Sequence, residues 1–302
     1  MRKFVILADS CCDLDKELRE KYDVEYIMMH VSFNGKTIGA DIDFNEVSYK
    51  DYYNVMREGN RIITAQITAI EYKAVFEKHL KQGHDVLYIG CSSALSGSIK
   101  ASYVARDEVL KDFPDAKIIC IDALNSCMGQ GMLCMVASEL RAQGKTIEET
   151  AEWVLENRKY VHQDATVEKL TWLKMAGRVS AASAFFGGIF NVKPIIISDA
   201  IGANVAVEKV KGRKVSFQRI AERFKERFVN YPHQRIYLLH GDCEDDANEL
   251  AQIIKGVLPD ECKDMPVNVM KLGPIIGASC GPGTLGLYYF GTEETHDSSK
   301  TN

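Results

Sequence analysis

Asp85-Val86-Leu87-Tyr88-Ile89-Gly90 reads as a β-strand, and Cys91-Ser92-Ser93-Ala94-Leu95-Ser96-Gly97 carries it into a helix that runs to about Lys111. A strand feeding a helix through a short turn is half of a βαβ unit. The same grammar repeats on both sides. Upstream, Phe4 to Ala8 is a short continuous apolar run, the form of a strand buried on both faces, and a helical stretch follows through Glu17 and Leu18. A second strand reads from Val24 to Val31, and Thr68 with Glu71 forms a capping box for a helix that Gly83 stops. Downstream, Ala116 to Ile121 is a strand, Met128 to Ala142 a helix, and Thr146 with Glu149 caps another. Strands alternating with helices predict a doubly wound α/β domain with a mainly parallel sheet over residues 1–160.

After that the texture changes. Glu168 to Met175 reads as a short helix, then Pro194–Ser198 and Asn204–Lys209 as a hairpin turned near Gly202. A charged amphipathic helix spans Val215 to Phe228, and Glu244 to Val257 is another. Strands read at Ile236–Leu239, Val267–Lys271 and Leu285–Phe290. Adjacent strands without intervening helices predict an α+β domain over residues 161–292, followed by a frayed polar tail at 293–302. A length of 302 residues agrees with two domains of roughly 150 residues each.

Composition narrows the function. Lys and Arg number 37 against 42 Asp and Glu, so the net charge of −5 repels a phosphate backbone and argues against nucleic-acid binding. Nine cysteines, an odd count without any C-x-x-C pair, read as free thiols of a reducing cytoplasm. The apolar run at Phe4–Ala8 is too short for a signal sequence, and no stretch is long enough to span a membrane. The histidines at 30, 79, 84, 162, 233 and 240 have no metal-binding spacing, and no cofactor is implied.

Several fragments imitate known motifs. Gly35-Lys36-Thr37 and Gly144-Lys145-Thr146 resemble the end of a P-loop but lack its first glycine. Gly281-Pro282-Gly283-Thr284-Leu285-Gly286 matches a dinucleotide fingerprint, yet a strand follows it instead of a helix. Gly277-Ala278-Ser279-Cys280-Gly281 matches a nucleophile elbow. That would make the chain a serine hydrolase acting on acyl esters through Ser279, although Pro282 and Gly283 follow and the only downstream histidine is His296.

Polar clusters stand at the ends of the predicted strands, the edge where open α/β sheets bind ligands. They are Asp9-Ser10 with Asp13, Thr64-Ala65-Gln66 with Thr68, the Ser92–Gly97 turn, and Asp122 with Ser126 and Gly129. Hydroxyls and free N–H groups at helix starts suit an anion, or simply cap the helices.

These segments resemble the DegV family of bacterial fatty-acid-binding proteins from Phe4 to about Phe290. The matching motifs are Ala8-Asp9-Ser10-Cys11-Cys12-Asp13-Leu14, Thr64–Thr68, Ser92–Ser98 and Asp122–Ser126. Further on come Leu173–Ser180 with Gly177-Arg178, Val192–Ile195, His240-Gly241-Asp242 and Gly273–Gly283. The resemblance implies a long-chain fatty acid in an apolar tunnel between the domains. Its carboxylate would be held by Thr64, by a serine among Ser92, Ser93 and Ser96, and by the last motif. There a histidine is usual and this chain has Ser279; Ala65-Gln66-Ile67 likewise stands for the usual Ser-Gln-Pro. It further implies a carrier without catalysis of its own, presenting the acid to a partner fatty acid kinase. A basic patch at Lys209, Lys211, Arg213 and Lys214 would face that partner. A third reading, beside carrier and hydrolase, is a lipid-gated regulator with no kinase partner.

Overall fold

The computed structural model describes residues 2–180 and 191–300. The first half runs β1 (Phe4–Asp9), α1 (Lys16–Tyr22), β2 (Val24–Ile27), β3 (His30–Phe33), β4 (Lys36–Gly39), α2 (Tyr49–Arg57) and β5 (Ile63–Ala65). It continues with α3 (Ala69–Lys81), β6 (Asp85–Gly90), α4 (Ser98–Asp112), β7 (Ile118–Asp122), α5 (Met128–Ala142) and α6 (Ile147–Asn157). Strands β2-β1-β6-β7 form the expected parallel sheet, with β1 and β6 at its centre. Both capping boxes close as read from sequence, Thr68 with Glu71 and Thr146 with Glu149. The single strand expected over Val24–Val31 is two: β2 ends at Ile27, and β3 joins a separate antiparallel sheet of order β4-β3-β5. Gly35-Lys36-Thr37 is the turn and start of the β3–β4 hairpin, and Gly144-Lys145-Thr146 links two helices.

The second half contains β8 (Val161–Thr166), α7 (Leu170–Ala176), β9 (Val179–Ser180), β10 (Val192–Ser198), β11 (Asn204–Lys211) and α8 (Arg213–Arg227). After these come β12 (Ile236–His240), α9 (Glu244–Val257), β13 (Val267–Lys271), α10 (Pro274–Cys280) and β14 (Leu285–Phe290). Seven strands form one mixed sheet of order β13-β12-β14-β8-β10-β11-β9, with α8 and α9 packed against it. The segment after Glu293, expected to fray, is held instead. Glu294 pairs with Arg227 at 2.9 Å, the Glu294 N–H donates to the Lys159 carbonyl, and Asp199 accepts from the Ser298 N–H at 3.0 Å.

Helix α5 joins the two sheets. Twelve of its fifteen residues are buried, because Gly, Met, Leu, Cys, Val and Ala leave almost no polar face. Its side chains share one core with Ile6 and Leu87 of the parallel sheet and with Leu239, Tyr288 and Phe290 of the mixed sheet. A second tie is the β10–β11 hairpin, which reaches across to the turn after β6. At its tip Gly202 has φ +79°, and a Cβ there would collide with Ser92 Oγ and the backbone of Leu124. Gly202→Ala therefore combines left-handed strain with overpacking. It should destabilise the fold by about 1–3 kcal/mol in a urea titration, whereas an unchanged midpoint would mean the hairpin tip yields freely.

Candidate functional site

Where the parallel sheet, the small sheet and the mixed sheet meet lies a cavity of about 380 Å³, within the range of roughly 300–1,000 Å³ usual for small-molecule sites. Its floor is set by Asp9 at the end of β1. This fully buried carboxylate accepts from the N–H groups of Cys11 and Cys91, each at 2.9 Å, and from Tyr88 Oη at 2.7 Å. Burial pushes the Asp9 carboxyl up from its ordinary value, and these hydrogen bonds hold it back. Ser10 Oγ accepts from the Met29 N–H at 2.8 Å, fixing Met29 beside the Cys11 thiol. The Asp9-Ser10 cluster is thus a scaffold whose effect is to place Cys11, Met29 and Cys91 on the cavity wall.

Of the residues predicted from sequence, Thr64, Ser96 and Ser279 come together in this lining. Thr64 lies on β5, paired with Val31 of β3, so the small antiparallel sheet presents it and not the edge of the parallel sheet. Ser96 Oγ accepts from the Ser98 N–H at 3.2 Å. Ser279 sits on the last turn of α10, its hydroxyl donating to the Ile275 carbonyl at 3.3 Å. Ser92 and Ser93 are outside the lining. Ser92 is fully buried and accepts from the Ala94 N–H at 3.2 Å, while the Ser93 N–H donates to the Asp122 carboxylate. Those two serines shape the turn that carries Ser96.

Helix α10 was not legible as a helix. Pro274 starts it and Ile275, Ile276, Ser279 and Cys280 line the cavity. Its glycines serve packing: a Cβ on Gly277 would strike Tyr53 Oη, and one on Gly281 (φ +81°) would strike the Trp172 indole. The G-x-S-x-G pattern is therefore no strand-to-helix elbow, and no histidine is among the described lining residues. Beneath α10, Asp13 is buried between Cys127, whose thiol donates to Oδ2 at 2.8 Å, and the backbone of Gly273. Burial pushes its carboxyl up to about 7.

Sequence reasoning assigned no role to Arg178. It follows Gly177, which ends α7 in a left-handed conformation, and its guanidinium donates to the Ala176 carbonyl at 2.6 Å. Among the described residues it is the only charged side chain lining the cavity, and it forms no ion pair. The cysteine walls are neutral. The hydrogen bond with Cys91, and then burial, raises the Cys11 thiol; Cys91, lowered by that same contact, is raised on balance by burial; and burial pushes Cys280 up to about 12. Among the described residues, the cavity thus combines thiol, thioether and aliphatic walls with one cation outside any ion pair, the four hydroxyls of Thr64, Ser96, Ser126 and Ser279, and the amides of Gln66 and Asn204. A larger concavity of about 1,180 Å³ runs as an open groove beside α1, and of the site residues singled out from sequence only Asp13 lines it.

The family profile for DegV, described as uncharacterised proteins of that family, matches residues 3–292. The chain belongs to the DegV family. It is 35% identical over 291 residues to a DegV domain-containing protein of Clostridium perfringens, covering 96% of this chain and 98% of that one. Among solved structures it resembles DegV from Bacillus subtilis, described as a fatty acid binding protein, at 27% identity and a TM-score of 0.81, covering 96% of this chain and all of the other. A DegV lipid-binding protein from Thermotoga maritima is similar at 25% identity and a TM-score of 0.82, covering 97% and 100%. The parallel sheet with its additional mixed sheet is the DegV arrangement.

The expected basic patch is largely neutralised. Arg213 pairs with Asp246 at 2.8 Å and Glu168 at 3.8 Å, and Lys214 pairs with Glu249 and Asp246. Lys209 and Lys211 are exposed on β11. Among the described residues no helix could cross a membrane, and no cluster of three or more His, Cys, Asp or Glu is placed to hold a metal.

Proposed function

We propose that this protein binds a long-chain fatty acid in the 380 Å³ cavity, carboxylate toward Thr64, Arg178 and Ser279, tail along Cys11, Met29, Cys91 and the isoleucines of α10. The observation that carries the reading is the guanidinium of Arg178, outside any ion pair in a lining otherwise uncharged among the described residues. A cation so placed favours one anionic group joined to an apolar body. Burying each CH₂ contributes about 0.8 kcal/mol, so a sixteen-carbon tail supplies on the order of 10 kcal/mol before ordering costs. Thioether and thiol walls adapt to the shape of a chain more readily than branched side chains do. Native mass spectrometry of the purified protein tests the reading: a co-purifying mass of roughly 250–300 Da identifies a long-chain acid in a pocket of this class. Persistent ligand-free protein that also ignores added acid would refute it.

The hydroxyls contribute modestly. Thr64→Ala and Ser279→Ala should each weaken acid binding about 5- to 10-fold in calorimetry, the worth of one hydrogen bond. Total loss of a measurable turnover in Ser279→Ala would instead support the hydrolase reading. We further propose that the protein supplies no nucleophile of its own and presents the acid to a partner fatty acid kinase, as family likeness suggests. If the exposed Lys209 and Lys211, with Arg213, contact that partner, Lys211→Glu should reduce kinase-dependent turnover and leave acid binding unchanged.

A further inference from the structure

Behind the head-group end of the cavity is a second, much smaller compartment. It is a slot of about 20 Å³ between residues 61–64, α7 and α10. Thr64, Arg178 and Ser279 line both spaces, so the slot opens directly off the groups assigned to the carboxylate. Its volume accommodates one water-sized group. Polar groups line it from Thr64, Arg178 and Ser279, with the exposed Arg61 and Ile63 at its outer edge, while Ile62, Met175 and Ala278 close the sides.

Its back wall is Trp172. The indole is 8% exposed, and it occupies the space that a side chain at residue 281 would need. Gly281 has φ +81°, so the indole and the glycine backbone lock together. Trp172 also lines an open cavity of about 400 Å³ bordered by Arg57, Glu168, Lys169 and Asp242. One side chain is thus shared by a slot for a single heavy atom and a space that would take many.

We propose that Trp172 is a specificity-determining residue that limits the ligand's head group to a carboxylate plus one further heavy atom, excluding larger acidic heads. The inference rests on the carboxylate lying at Thr64, Arg178 and Ser279. In this arrangement a hydroxamic acid, one heavy atom longer, fills the slot. An N-acylglycine of the same acyl length drives its carboxylate into the indole.

Calorimetric titration with these three ligands tests the proposal. Wild-type protein should bind N-acylglycine at least about 30-fold more weakly than the acid, the penalty of overpacking against the indole. Hydroxamate, largely un-ionised at neutral pH, should lose only the charge contribution of Arg178. Trp172→Ala joins the slot to the outer cavity and should recover N-acylglycine binding at least about tenfold relative to the acid. Should that variant fail to fold, Ala278→Val decides. It fills the slot from the side, and should weaken hydroxamate about tenfold while sparing the acid. N-acylglycine binding as tightly as the acid to wild type, or Ala278→Val treating acid and hydroxamate alike, would overturn the role of Trp172 alone. Failure of wild type to bind the acid would overturn the functional reading and this inference together.

Discussion

Arg178→Glu lowers the affinity for a sixteen-carbon acid by roughly 100-fold, the largest loss expected from any single lining residue. The substitution removes a charge-assisted hydrogen bond, a contribution of about 1.5–3 kcal/mol, and sets a like charge against the carboxylate. Arg178 is exposed at the rim, so solvent screens part of its field and the gain is smaller than for a buried pair. The signature is therefore charge-specific. The loss should shrink as salt rises, and the methyl ester of the same acid should bind wild type and variant alike. Equal losses for acid and ester would show that the guanidinium serves only to shape the rim.

Asp13→Asn changes how stability depends on pH. The Asp13 carboxyl titrates near 7 in the fold against an ordinary value of 3.8, chiefly because burial disfavours its charged form. The folded protein thus holds this proton more tightly than the unfolded chain does. Asp13's contribution to stability is full below about pH 4, falls as pH rises to about 7, and is flat beyond. The slope reaches about 1.4 kcal/mol per pH unit, about 4 kcal/mol across the window. Asparagine keeps the shape without the charge. Urea midpoints at pH 4.5, 6 and 8 should therefore fall for wild type relative to the variant, with most of the gap open by pH 8. Asp9 is shifted in the same direction, so a slope that persists in Asp13→Asn would assign it to Asp9 instead.

Much of the architecture was legible from local signals. The capping boxes at Thr68 and Thr146, the helix at Met128–Ala142, the helix at Glu244–Val257 and the hairpin around Gly202 all appear where periodicity and turn chemistry put them. The break between β2 and β3 was not, because Val24–Val31 has no glycine or proline to punctuate it. Helix α10 was hidden by glycines whose reason lies elsewhere in the chain, in Tyr53 and Trp172. At the site, the sequence singled out serines but could not tell an outward hydroxyl from an inward one. Ser96 lines the cavity while Ser92, four residues earlier, braces the hairpin tip. Arg178 stood inside a recognised motif, yet its meaning depends on the charge of every other wall residue, which only the assembled cavity reveals.

The placement of α5 bears on how a ligand gets in. A helix greasy on every side and clasped by both sheets acts as a keystone. Parting the halves like a bivalve shell would strip it into water, at about 25 cal/mol for each Å² of apolar surface exposed. An acid held in the proposed cavity would therefore exchange by local loosening at the rim near α7 and α10, with the keystone staying seated throughout.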